Sequence, residues 1–144
     1  MHLHPDYTTK DSPWNVADTA QRLTSLITER GMTVFVTIDQ SDQARQVGLE
    51  LRDTVLVVFG SPKAGTRVMV AEPLAALDLP LKLLVWDDDG RTLVSYLKPT
   101  VLSARYALPR SLAAPLDGIE ALVDALLTDS TGQPTATPPS APAR

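Results

Sequence analysis

The sequence predicts an α+β fold: a single small domain with a mainly antiparallel or mixed sheet of about 4–5 strands packed with helices. Three observations carry this. The spacing of apolar residues switches repeatedly between a helical period and a period of two. The pair Asp89-Gly90 separates two strand-like runs, as a tight hairpin requires. A chain of 144 residues suits one hydrophobic core rather than two.

Residues 1–12 form an N-terminal segment in which Tyr7 to Lys10, with Thr8 and Thr9, reads as a short edge strand. Ser12-Pro13 offers a capping hydroxyl followed by a proline suited to the first helical turn, so a helix is expected over roughly 13–30. Val16, Ala20, Leu23 and Ile27 recur at helical spacing there, Leu26 widens the stripe, and Gly31 supplies a left-handed stop. From Met32 the period is two: Val34, Val36 and Ile38 share a face, with Phe35 the apolar exception on the other. Ser41 is expected to cap a short helix over 42–47 that Gly48 ends.

Thr54 to Phe59 is apolar on both faces and rich in β-branched residues, which suits a strand covered on both sides. After the turn from Gly60 to Thr66, Arg67 to Glu72 reads as helical, and Pro73 either interrupts that helix or opens a second short one through Leu77. Leu81, Leu83 and Val85 then alternate with Lys82, Leu84 and Trp86 before Asp87-Asp88-Asp89-Gly90 turns the chain into Thr92 to Leu97. With Asp89 and Gly90 as the loop, Val85 faces Val94 and Leu83 faces Tyr96. Pro99 to Leu108 reads as a helix stopped by Pro109, and Asp117 with Glu120 as a capping pair. The helix it opens carries Ile119, Leu122, Val123 and Leu126 toward the sheet. The domain thus spans residues 13–128. Beyond it, residues 129–144 contain no aromatic and no Val, Ile, Leu or Met, while Pro134, Pro138, Pro139 and Pro142 alternate with small residues; they are expected to be a disordered Pro-rich tail.

Composition narrows the function classes. Hydrophobic residues at 44% and charged residues at 21% are globular proportions, and no apolar run approaches the roughly 20 residues of a membrane span. A soluble protein with no membrane partner is expected. Met1 to Tyr7 lacks the basic and apolar regions of a secretory signal, so the expected location is cytoplasmic. The absence of cysteine removes disulfides, thiolate nucleophiles and thiolate metal sites. A net charge of −4 and no run of interleaved Lys, Arg and aromatics argue against a nucleic-acid partner.

Several segments together resemble a known bacterial family: Thr37-Ile38-Asp39, Val47-Gly48-Leu49-Glu50-Leu51, Phe59-Gly60-Ser61-Pro62-Lys63-Ala64-Gly65-Thr66, Leu77-Asp78-Leu79-Pro80-Leu81-Lys82, Val85-Trp86 and Ser95-Tyr96. In order and spacing, over residues 13–108, they are similar to the domain of unknown function 302 family. The resemblance implies a small α+β domain and carries no assigned activity. Two positions depart from the family's usual pattern: Gln40 where a histidine often follows the Asp, and Ser61 where an asparagine often precedes the Pro.

The candidate chemistry is sparse. Around Gly60, Ser61, Lys63, Gly65 and Thr66, helix-start N–H groups, two hydroxyls and an ammonium have the composition of an anion site. The same residues also suit a capped tight turn with no ligand, the glycines serving backbone angles and Pro62 its fixed φ. The order of residues is not that of a P-loop. Lys82 shares a strand face with Leu84 and Trp86, with Asp78, Glu50 and Asp39 as available partners; it reads either as a cleft lysine or as an edge-strand lysine reaching for water. Tyr96 and Arg105 are further candidates, expected at one end of the sheet; ordinary packing for the tyrosine and a surface ion pair for the arginine are the preferred reading of the two. Asp87 to Asp89 read as a solvated turn, and His2 with His4 lack a third ligand, so neither a metal nor a cofactor is expected.

These features rank a binding module for a small molecule or anion first, with an exposed sheet edge suited to pairing as a homodimer. A cofactor-independent enzyme using Lys63 or Lys82 with Asp78, Glu50 or Tyr96 is the alternative. An interaction or accessory protein working through the tail is the third.

Overall fold

In the strand Thr54–Gly60 (β3), Val57 and Phe59 are fully buried and Val55 nearly so, whereas Leu56 and Val58 on the opposite face are half-buried; the strand is an inner one, but only one of its faces is fully covered, which corrects the expectation of cover on both. The computed structural model describes residues 4–128; the expected tail, 129–144, lies outside the described residues. Five strands form one sheet in the order β1 (Tyr7–Ser12), β5 (Arg91–Leu97), β4 (Leu81–Asp88), β3, β2 (Thr33–Asp39), every neighbour antiparallel. The N-terminal strand is therefore an edge strand, two residues longer at its C-terminal end than the sequence suggests.

Helix α1 (Val16–Glu29) and helix α6 (Gly118–Leu127) supply the apolar stripes that cover one face. Leu23 and Ile27 of α1 and Leu122 and Val123 of α6 have no exposed surface, and they join Val57, Phe59, Leu83, Val85 and Val94 in one core cluster. Burying each such side chain contributes about 1.5–3 kcal/mol relative to leaving it in water. A second packing region is built from short helices. There α3 (Pro62–Ala71) packs against a 3-10 turn, Pro73–Leu77, and against α5 (Arg110–Ala113). Helix α4 (Pro99–Arg105) meets a second 3-10 turn, Ala114–Asp117. Val68, Ala75, Leu102, Ala113 and Leu116 are buried in these elements.

The hairpin follows its sequence signal. Asp89 and Gly90 both have positive φ, 53° and 93°, and Val85 pairs with Val94. Across the sheet's other face, Trp86 Nε1 donates to Ser95 Oγ at 3.0 Å and Ser95 meets Thr9 Oγ1 at 2.8 Å, a polar line over β4, β5 and β1. The β2 strand carries a register irregularity between Val34 and Val36, so the expected common face of Val34, Val36 and Ile38 is broken. Val36 is accordingly 45% exposed.

Helix starts depart most from expectation. The cap of α1 is Asn15, whose Oδ1 accepts from Asp18 N at 2.7 Å. Ser12 instead ends β1, its hydroxyl 2.7 Å from Thr19 Oγ1. Helix α2 (Gln40–Gln46) is capped by Asp39, which accepts from Asp42 N at 2.9 Å, while the Ser41 hydroxyl donates to Asp39 and accepts from Thr54 N. Asp117 makes no cap for α6 because its carboxylate accepts from Arg110 at 2.8 Å. The turn from Gly60 to Thr66 is helical from Pro62 onward, with Ser61 as N-cap accepting from Ala64 N at 3.2 Å.

Candidate functional site

The ten candidate residues separate into distinct places. Four of them, Asp78, Lys82, Tyr96 and Arg105, line one cavity of about 280 Å³ beside α4. Its floor comes from strand register: Leu56 of β3 pairs with Leu84 of β4, and Leu84 with Ser95 of β5, so the three lie side by side. Pro99 and Leu102 of α4 form a wall, and Asp78, at the end of the first 3-10 turn, stands at the rim with Lys82 and Arg105.

The rim charges are not equivalent. Arg105 Nη1 donates to Asp78 Oδ2 at 3.0 Å, and the Tyr106 hydroxyl donates to the same carboxylate oxygen. The Tyr106 hydrogen bond, then the Arg105 guanidinium, hold the Asp78 carboxyl below the usual carboxylate range against partial burial. Lys82 is different. Its ammonium donates only to the main-chain carbonyls of Pro80 at 3.3 Å and Asp78 at 3.5 Å, and it forms no ion pair among the described residues. Because β4 is the central strand, Lys82 is not the edge-strand lysine that one reading of the sequence suggests. Tyr96 is 2% exposed and its hydroxyl lacks a hydrogen-bond partner of good geometry; burial pushes its phenol up, with Lys10 acting the other way.

Gly60, Ser61, Gly65 and Thr66 line a second cavity, about 300 Å³, between α3 and the Leu79-Pro80-Leu81 segment. Its wall is apolar and includes Met32, Met69 and Leu116. Lys63 turns elsewhere, to a hollow of about 120 Å³ with Arg67 and Ser111, so the ammonium and the Thr66 hydroxyl do not converge on one cavity. Neither Gly60 nor Gly65 has positive φ, which corrects the expectation that they serve unusual backbone angles. Glu50 is exposed and lines none of these cavities.

A fourth hollow, about 440 Å³ near Trp14, carries Asp11, Asp53 and Asp87, but Asp11 accepts from Arg91 at 2.7 Å. Among the described residues no group of three or more His, Asp or Glu is placed to hold a metal ion. The Asp87 carboxylate accepts from Gly90 N at 3.2 Å, the role of a hairpin turn residue.

Sequence reasoning missed Tyr106, whose hydroxyl reaches both the Asp78 carboxylate and the Leu74 carbonyl. Its position next to Arg105 at the end of α4 was the available signal. Leu56 and Leu84 were read only as strand residues, and nothing local marks them as a cavity floor.

Comparison with known proteins bears on the family. The family described as Domain of unknown function DUF302 matches residues 8–126. Relatives named fluoride-specific ion channel match part of the chain. FluC 1 of Brucella suis biovar 1 (strain 1330) is 35% identical over 101 residues, covering 69% of this chain and 40% of that protein. FluC 2 of Brucella melitensis biotype 1 is 35% identical over 101 residues, covering 69% of this chain and 37% of that protein. The chain therefore spans less than half the length of these relatives. Among its described residues no helix is long and apolar enough to cross a membrane. The crystal structure of an uncharacterized conserved DUF302 protein from Bacillus stearothermophilus shares the fold, with a TM-score of 0.72 at 24% identity, over 86% of this chain and 97% of that one.

Proposed function

The chain belongs to the family described as Domain of unknown function DUF302, and for this member we propose a binding module for a small organic acid, held in the cavity beside α4 with its acid group on Lys82. The observation that carries this reading is the Lys82 ammonium: a cation without an ion pair among the described residues, at the rim of a cavity whose floor and wall are Leu56, Leu84, Pro99 and Leu102. Arg105 is already neutralised by Asp78 and serves to fix the rim.

A charge-assisted hydrogen bond to the ligand contributes about 1.5–3 kcal/mol. Each buried methylene adds about 0.8 kcal/mol. Affinity should therefore climb steeply with chain length from acetate to butyrate to hexanoate, which plain ion pairing at a surface lysine would not produce. The test is a thermal-shift series with these three acids on the wild type and on Lys82→Ala. A midpoint that rises with chain length only in the wild type supports the reading; no shift with any acid removes it.

The Brucella relatives favour a second reading, in which the ligand is a small inorganic anion such as fluoride. The apolar walls would then contribute nothing. Fluoride shifting the wild type while hexanoate does not would select it.

A further inference from the structure

Gly65 lies inside α3, where glycine is the poorest helix former after proline. Nothing in the fold requires it. Its φ is not left-handed, and a Cβ built there would meet only Met69 Cε, at 3.8 Å, an ordinary contact. What the missing side chain does is leave open one wall of the roughly 300 Å³ cavity between α3 and Leu79-Pro80-Leu81. Gly60 does the same from the β3 side, its nearest neighbour being Pro80 Cβ at 3.8 Å. The cavity has no charged residue in its lining, and Phe35, 48% exposed, stands at its edge.

We propose that this cavity is a second binding site, for an uncharged aromatic or compact apolar molecule, kept open by Gly65. Its size sets the ligand. A cavity of about 150 Å³ accepts benzene, so one twice as large accepts roughly ten non-hydrogen atoms, the size of indole or naphthalene. The lining sets the charge: an ion entering here would lose its hydration without a counter-charge. Met32 and Met69 adapt to an aromatic face through polarizable thioethers. The Ser61 hydroxyl accepts from Ala64 N and keeps its own proton to donate to a polar ring atom. This site differs from the cavity beside α4 in ligand charge and in all lining residues but Leu81.

The test uses the full chain with 13C-methyl methionine, since two of its three methionines line the cavity. Indole is the probe. Saturable ring-current shifts of the Met32 and Met69 methyls are expected in the wild type. Gly65→Ala should weaken binding several-fold and Gly65→Leu at least tenfold, with melting profiles showing both variants folded. If the leucine variant fails to fold, the alanine variant decides alone. Absence of methyl shifts up to the solubility of indole, or equal affinity in the folded variants, overturns the proposal. Hexanoate titrated in parallel keeps a failure of one cavity distinct from a failure of the other.

Discussion

Arg105 Nη1 lies 3.0 Å from Asp78 Oδ2, joining the end of α4 to the turn that precedes β4. The contact closes one end of the cavity beside α4 and uses up one of its two rim cations. In the proposed site, Lys82 is left as the cation that would meet a ligand. The Tyr106 hydroxyl on the same carboxylate oxygen fixes the arrangement further.

Because the Asp78 carboxyl is held below its ordinary range, its linkage to folding has a definite sign. The stabilisation is fully present above the unfolded value, near about pH 4, and is lost as pH falls through the lower folded value. Asp39, held low first by the Ser41 hydroxyl and then by Asp42 N, acts in the same window. Asp78→Asn should therefore flatten, without abolishing, the loss of stability as the pH falls below about 4. Urea midpoints across that range measure it, and an unchanged slope would show that the carboxylate is not coupled to folding.

Two identical substitutions should move stability in opposite directions. Gly65→Ala, in a helix with ordinary φ and room for a Cβ, should stabilise by about 0.5–1 kcal/mol. Gly90→Ala, at φ +93°, should destabilise by about 1–2 kcal/mol. Paired denaturation curves check both signs; stabilisation at Gly90 would contradict the hairpin geometry.

The core makes a third prediction. Leu23 has no exposed surface and packs in the cluster shared by α1, α6 and the sheet. Leu23→Ala should cost about 2–5 kcal/mol through lost burial and an unfilled cavity. Val70→Ala, in α3 at 78% exposure, should change stability by no more than about 0.5 kcal/mol.

The contrast between two Ser-Pro pairs shows what the sequence carried. Ser61-Pro62 opens a helix, whereas Ser12-Pro13, with the same local signal, ends a strand and leaves the cap to Asn15. Local chemistry names the residues able to cap; pairing of β1 with β5 decides which does. The hairpin was legible because Asp89 and Gly90 satisfy their own backbone requirement without tertiary help. The candidate site was legible only as separate residues. Asp78, Lys82, Tyr96 and Arg105 were each noticed, but their gathering depends on where α4 returns, which no local pattern encodes. The Gly60 to Thr66 motif had the composition of an anion site, yet helical geometry from Pro62 directs Lys63 and Thr66 to different cavities.

The most direct measurement is a calorimetric titration of hexanoate into the wild type and into Lys82→Met, which keeps an apolar stem and removes the charge. Binding to the wild type, weakened at least about tenfold in the variant, is the predicted result, as expected for loss of one charge-assisted contact. Equal affinity in the two proteins, or no binding to either, would contradict the assignment of the cavity beside α4 as an acid-binding site.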